Sequence, residues 1–144
     1  MRHEACDRIA PVRPLSPVRP SRTARIARGL SAQASGHQAE RRVAEVYRAR
    51  GCEILAQCWR GRAGEIDLIL RDGPALVFVE VKKSATHALA AERLSRRQMD
   101  RICLAAQEYC AGLPEGSLTE QRFDAALVDA AGEVEVIANA FGLN

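Results

Sequence analysis

Lysine is nearly absent from this sequence. Of its 21 basic residues 19 are arginine, and the only two lysines, Lys82 and Lys83, stand side by side. A basic position taken at random is therefore lysine only about one time in ten. Because an amine can lose its proton when partly buried whereas a guanidinium stays protonated, this pair requires a chemical explanation.

Other features that are missing exclude whole classes of protein. No apolar run approaches the roughly 20 residues that cross a bilayer, so we expect neither a membrane span nor a membrane partner. None of the five cysteines forms a C-x-x-C pair, which argues against the common zinc and dithiol motifs. We expect reduced thiols in a cytoplasmic protein, with Cys103 and Cys110 facing the core. Aromatic residues make up only 4% of the chain, which argues against single-strand binding by base stacking.

The net charge of +3 is unevenly distributed. Residues 1–30 carry seven arginines against Glu4 and Asp7, while the remainder carries 14 basic and 16 acidic residues. Arginines cluster within residues 41–62 and 93–101, and acids dominate after Glu108. Two explanations fit this pattern: a basic side of the protein that binds a polyanion, or ordinary solvated helix faces.

A tail and one folded domain are predicted. Proline recurs at every third position of "PVRPLSPVRP", which favours an extended chain without a core, so residues 1–32 are predicted to be a disordered tail rich in Arg and Pro. Residues 33–144 are long enough to bury a single core.

Within the domain, the hydrophobic pattern alternates between helix and strand. The segment "SGHQAERRVAEVYRARG" predicts a helix that Ser35 caps and Gly51 ends. Three short runs of branched residues, separated by "GRAG" and "DGP", predict strands joined as hairpins. A second helix is predicted in "LSRRQMDRICLAAQEYCAGLP", capped by Ser95, and two strands in "RFDAALVD" and "EVEVIANAF". The predicted class is α/β in the order α-β-β-β-α-β-β.

The second hairpin specifies its own register. If the chain turns between Gly73 and Pro74, the numbers of residues that lie opposite each other add up to 147. Leu68 then lies opposite Val79, Ile66 opposite Val81, and Asp67 opposite Glu80. Like charges directly opposite each other destabilise a sheet unless a cation lies between them. Two close carboxylates suit Mg²⁺, which takes one or two such ligands and keeps other positions for water and phosphate.

An amine beside these acids has a chemical use. Lys82 projects from the same face as Glu80, where it can orient or deprotonate a water and stabilise charge on phosphorus. Lys83 points to the other face and receives no role. Glu40, on the first predicted helix, is the candidate third acid.

Simpler interpretations remain open for each residue. The hairpin can be an exposed one with cross-strand ion pairs such as Glu65 with Lys82, and Glu40 can be a solvated acid at a helix start. Arg122 and Asp124 share a strand face and are expected to pair, with Phe123 in the core.

The motifs "GHQAE", "WRGRAGEIDLI", "VFVEVK", "RRQ", "RFDAALVD" and "IANAF", spread over residues 36–142, resemble the YraN-type uncharacterised protein family. Members of that family resemble the PD-(D/E)xK nucleases and the archaeal Holliday-junction resolvases. The chain departs from the family pattern at Ser84, at Arg97 before Gln98, and in the loop "ATHALAA".

The resemblance implies a restriction-endonuclease-like core, a mixed sheet flanked by helices. It also implies that Asp67 and Glu80 bind Mg²⁺ or Mn²⁺, that Lys82 is catalytic, and that Glu40 adds a further acid. We therefore expect a metal-dependent endonuclease that hydrolyses DNA, branched or damaged DNA included. The expected DNA contacts are Arg41, Arg42, Arg60, Arg62, Arg97 and Gln98.

Two alternatives to catalysis stay open. One is a nuclease-like module that binds nucleic acid or a DNA-processing protein without cutting, and the other is a purely structural partner protein. Resolvase-like work would require a homodimer.

Overall fold

The structure is a computed structural model that describes residues 37–142. The predicted tail of residues 1–32 and the predicted cap Ser35 lie outside the described residues. None of the helices in the described part has the length and apolar character that crossing a bilayer requires.

A five-stranded sheet forms the centre of the described domain, with its strands in chain order across the sheet. The strands are β1 (Glu53–Arg60), β2 (Glu65–Asp72), β3 (Ala75–Lys83), β4 (Gln121–Val128) and β5 (Val134–Ile137). Neighbouring strands are antiparallel except for β3 and β4, which are parallel. Parallel neighbours need a crossover connection, so the helices between β3 and β4 follow from the topology.

Three helices accompany the sheet. The first, α1, covers residues 37–49 of the described chain. The crossover contains α2 (His87–Glu92) and α3 (Arg96–Ala111), followed by a 3₁₀ turn at Gly116–Leu118. The element order therefore agrees with the prediction except for the additional α2.

Local capping explains where the helices begin and end. The chain leaves α1 at Gly51, whose φ of 87° is readily adopted only by glycine, and the Gly51 N–H donates to the Arg48 carbonyl at 2.9 Å. Ser95 accepts the Gln98 N–H and begins α3, as predicted. Thr86 accepts the Leu89 N–H and begins α2, which was predicted as loop. Six residues are too few for hydrophobic periodicity to indicate a helix.

The two faces of the sheet pack against different helices. One cluster joins α1 to the sheet through Val43, Tyr47, Leu68, Leu70 and Val79. The other joins α3 to the opposite face through Ile69, Phe78, Ile102, Ala105 and Ala106. The predicted second helix is thereby confirmed, and so is the burial of Cys103 and Cys110, each 1% exposed.

The register of the β2–β3 hairpin is confirmed over most of its length. The pairs run from Asp72 with Ala75 to Leu68 with Val79. Beyond them the ladder ends, because the carboxylate of Asp67 accepts the Val81 N–H at 2.8 Å in place of a main-chain carbonyl.

For this reason the predicted pairing of Ile66 with Val81 is wrong, and Asp67 and Glu80, predicted to pair directly, also lie outside the ladder. Ile66 packs in the cluster beneath α3, while Val81 packs against the cluster beneath α1. The strict alternation of faces along β2 thus breaks at Asp67, where the strand leaves its partner.

Candidate functional site

A cleft of about 550 Å³ opens where β2 and β3 stop pairing, between α1 and α3. Its lining includes the predicted acids and lysine together with two residues of α3: Glu40, Asp67, Glu80, Lys82, Gln98 and Arg101. The fold therefore brings residues from two strands and two helices to one place.

Asp67 lies in an environment that opposes its negative charge. Burial is the largest cause and the charge of Glu80 the second, and together they raise the pKa of Asp67 to about 8. Glu40 adds a smaller repulsion, and the Val81 N–H works in the opposite direction. Near neutral pH the acids therefore need a proton or a cation between them.

Glu80 is held by two donors. Its side chain is buried, and its Oε1 accepts the Gln98 Nε2–H at 2.7 Å and lies 3.0 Å from the Lys82 ammonium. Gln98 reaches this position because the cap at Ser95 places it in the first turn of α3. Glu80 and Lys82 therefore lie next to each other, as predicted, and Gln98 fixes the orientation of the Glu80 carboxylate.

Glu40 reaches the same cleft from α1. Its Oε2 accepts a hydrogen bond from the Cys58 thiol at 2.7 Å and lies 3.6 Å from His37 Nδ1. Burial and the bond to Glu40 raise the pKa of Cys58 to about 12. The packing of α1 on the sheet thus turns Glu40 inward, and the solvated helix-start interpretation does not describe it.

The two lysines differ in their surroundings. Lys82 is largely enclosed, with 16% of its side chain exposed. Lys83, expected on the other face and outside the site, borders both the cleft and a smaller recess of about 360 Å³ beside Arg42 and Gly132. Its carbonyl accepts a hydrogen bond from Arg93 at 2.8 Å.

The arginines expected to contact DNA lie outside the cleft lining. All five are exposed: Arg41, Arg42, Arg60, Arg62 and Arg97. None of these five is among the described residues that line the cleft. Gln98 does line it, with its amide bound to Glu80.

Two cleft arginines were absent from the predicted site. Arg93 and Arg101 both line it, and Arg101 passes close to Gly64, where an added Cβ would lie 2.8 Å from its Cδ. Helical spacing could have identified Arg101, because residues three apart on α3 share a face and Gln98 was already a candidate.

The cleft suits a hard divalent cation. Carboxylate oxygens are the ligands that Mg²⁺ and Mn²⁺ prefer, and four acids line the cleft, Glu65 in addition to the three predicted ones. The predicted ion pair of Glu65 with Lys82 is not formed: Glu65 lies 3.4 Å from Arg60, and Lys82 pairs with Glu80.

A second buried acid lies on β4. Asp124 is 0% exposed, and it accepts hydrogen bonds from the Tyr47 hydroxyl at 2.8 Å and the Asn139 N–H at 2.9 Å. Arg122 donates to both of its oxygens, at 3.0 and 3.2 Å, and reaches Asp72 at 3.0 Å. The predicted pairing of Arg122 with Asp124 is confirmed, and burial together with Asp124 raises the pKa of Tyr47.

Phe123 lies on the other face of the same strand, as predicted. Its ring is stacked on Phe78 with centroids 5.5 Å apart, and it also contacts Phe141 at 5.4 Å. The Arg-Phe-Asp segment is therefore a structural element of the core.

Comparison with known proteins identifies relatives over most of the described chain. The model of the uncharacterised protein family UPF0102 matches residues 39–128. A UPF0102 protein from Cereibacter sphaeroides (strain KD131) is 59% identical over 107 residues, which are 74% of this chain and 92% of the relative. A UPF0102 protein from Ruegeria pomeroyi is 50% identical over 116 residues, 81% of this chain and 94% of the relative.

Proposed function

The chain belongs to the uncharacterised protein family UPF0102, and we propose that it is a metal-dependent nuclease that hydrolyses phosphodiester bonds in DNA. The observation that carries this proposal is the convergence of Glu40, Asp67 and Glu80 with the Lys82 amine in one cleft. A cluster of acids that repel one another in a cleft is a typical signature of a functional site.

Asp67 and Glu80 would hold Mg²⁺ or Mn²⁺, with Glu40 completing the ligand set. A divalent cation bound there supplies positive charge that polarises a phosphate and lowers the pKa of an attacking water. The chain itself holds the acids in position, since the Val81 N–H orients Asp67 and the Gln98 amide orients Glu80.

Lys82 is proposed as the catalytic amine. Its ammonium lies 3.0 Å from Glu80, at a position from which it can donate a hydrogen bond to a phosphate oxygen or orient a water. A preorganised donor of this kind stabilises charge that develops during the reaction.

DNA would be held by its backbone. Arg93 and Arg101 line the cleft, and exposed arginines elsewhere on the domain offer further phosphate contacts. Such contacts bind without reading sequence, so affinity is expected to fall steeply with salt.

The test compares cleavage of linear and branched DNA in Mg²⁺ and Mn²⁺ by wild type, Asp67→Asn and Lys82→Ala. Two variants serve as matched controls: Asp100→Asn removes a half-exposed acid of α3, and Arg71→Ala removes an exposed basic residue of β2. We expect both controls to cut like wild type and both site variants to lose cutting. Equal residual activity in all five proteins would contradict the proposal, because it would indicate a contaminating nuclease.

A non-catalytic nucleic-acid-binding module, or a partner of DNA-processing proteins, is the second candidate. One observation favours it: the Gln98 amide and the Lys82 ammonium already satisfy Glu80 without a metal ion. Salt-sensitive DNA binding by wild type, with no cutting in either metal, would support this candidate over the nuclease.

A further inference from the structure

Three different metal-ligand atoms meet beside the acid cleft. His37 Nδ1, Glu40 Oε2 and Cys58 Sγ all lie within 4.8 Å of one another. The sulfur is 2.7 Å from the Glu40 oxygen, as close as the two oxygens of an O–H···O bond although sulfur is the larger atom. They come from α1 and β1, so only the packing of α1 on the sheet brings them together.

Cys58 has an unusual backbone conformation for this position. Its φ is 49°, a left-handed value that non-glycine residues adopt infrequently, in the middle of a strand. Its thiol donates a hydrogen bond to Glu40, so the sulfur does not stand free as a nucleophile. A ligand role remains, because a cation can displace that proton.

We propose that His37, Glu40 and Cys58 bind a transition-metal ion of the Zn²⁺ class at a site distinct from the hard-cation site of Asp67 and Glu80. Imidazole and thiolate favour such ions over Mg²⁺. Three protein ligands with a fourth position open to solvent are a common zinc arrangement.

The distances are compatible with this ion. Ligand atoms around a tetrahedral zinc lie about 3.4–3.8 Å apart, given its bond lengths. His37 and Glu40 already have this spacing at 3.6 Å. Cys58 and Glu40 would separate by about 1 Å as the ion replaces the shared proton, which is released to solvent.

Glu40 belongs to both sites, and this sharing predicts communication between them. A zinc ion that engages Glu40 would change the ligand set available to Mg²⁺ or Mn²⁺ in the cleft, and linkage requires the effect to be reciprocal. This consequence rests on the proposed nuclease function, whereas binding of the ion itself does not.

The test titrates the full chain with Co²⁺ as a spectroscopic substitute for zinc and follows the near-ultraviolet band of a cobalt-bound thiolate. We expect the band in wild type and in two thiol controls, Cys6→Ser and Cys103→Ala. Cys58→Ser should abolish it, and His37→Gln or Glu40→Gln should weaken Co²⁺ binding at least about tenfold, since each removes one of three ligands. A wild type without the band, or a band that survives Cys58→Ser, would overturn the proposal.

A second measurement needs no variant and so cannot fail through misfolding. Zn²⁺ is expected to slow alkylation of Cys58 at least tenfold in wild type, and to leave the rates at Cys103 and Cys110 unchanged, as followed by mass spectrometry of peptides. Equal rates at Cys58 with and without Zn²⁺ would overturn the site. Because neither readout involves DNA, failure of the nuclease proposal leaves this test intact, and the reverse also holds.

Discussion

Strands β2 and β4, which lie on either side of β3, each carry an acid, and the two acids have opposite surroundings. Asp124 on β4 is fully buried and receives a guanidinium, a hydroxyl and a main-chain N–H. Asp67 on β2 has Glu80 and Glu40 as charged neighbours, and its pKa is raised to about 8. The difference is the supply of positive charge, since among residues 37–142 Asp124 is paired with a guanidinium and Asp67 is paired with no cation.

The parallel pairing of β3 with β4 explains how such different environments arise so close together. Val79 pairs with Asp124, and Glu80 pairs with Ala125. Because successive side chains alternate between faces, this one-residue step directs Glu80 toward α3 and Asp124 toward α1. Burial of an acid alone therefore does not identify a functional site, and its partners do.

The largest expected effect concerns cleavage. Asp67→Asn should lower the cleavage rate on the order of 10³-fold or more by removing a ligand charge from the site, whereas Asp124→Asn should leave the rate per folded molecule within a few-fold of wild type. Rates measured on protein quantified for its folded fraction check this prediction. Similar losses in both variants would erase the distinction between the two acids.

For stability, in contrast to cleavage, Asp124 should be the more important of the two acids. Asp124→Ala leaves the Arg122 guanidinium and the Tyr47 hydroxyl without their buried partner, so the free energy of unfolding should fall by about 3–5 kcal/mol. Asp100→Ala, at a half-exposed acid of α3 that pairs with Arg96, should change it by less than about 0.5 kcal/mol. Urea denaturation followed by circular dichroism measures both values, and a loss below about 1 kcal/mol for Asp124→Ala would contradict the structural role.

Divalent cations should stabilise wild type selectively. At a concentration 100 times its Kd, Mn²⁺ should raise the free energy of unfolding by about 2.7 kcal/mol through binding to the folded state alone. Asp67→Asn should lose most of this gain, and Asp124→Asn should keep it. Thermal unfolding with and without Mn²⁺ gives the comparison, and equal gains in wild type and Asp67→Asn would place the ion elsewhere.

Without a cation, Asp67→Asn should stabilise the protein at alkaline pH. Between about pH 4 and pH 8 the folded state holds a proton on Asp67 that the unfolded chain has released, so raising the pH favours unfolding of wild type. The stability of the variant relative to wild type should therefore increase by about 1 kcal/mol or more across this window. Above pH 8 the difference should level off. Denaturation curves in chelator at several pH values measure the difference, and a flat difference would contradict the raised pKa.

The smallest expected effect is at the edge of the Asp124 network. Tyr47→Phe removes one of the donors to Asp124 but keeps the ring in the core, so the free energy of unfolding should fall by about 1–1.5 kcal/mol. Cleavage per folded molecule should not change. A loss as large as that of Asp124→Ala would mean that the hydroxyl, not the guanidinium, holds the network together.

Sequence patterns were sufficient for the features that depend on near neighbours. Alternation in the β2–β3 hairpin predicted the register, turn and cap residues predicted the ends of α3, and the resemblance identified the family. The short α2 was missed because six residues show too little periodicity, and Ile66 was misplaced because a side chain replaced a ladder bond. Arg101 was missed although it lies three residues after Gln98 on the same face of α3, a spacing that could have identified it.

The sequence by itself determined the strands, the hairpin register and the approach of Asp67 to Glu80, because these depend on backbone periodicity and on a turn only a few residues long. Only the tertiary structure decided which acid would be neutralised. The bonds of Gln98 to Glu80, Cys58 to Glu40 and Tyr47 to Asp124 join residues 18 to 77 positions apart. Such contacts form only when helices pack on the sheet, and packing geometry is not encoded in local spacing.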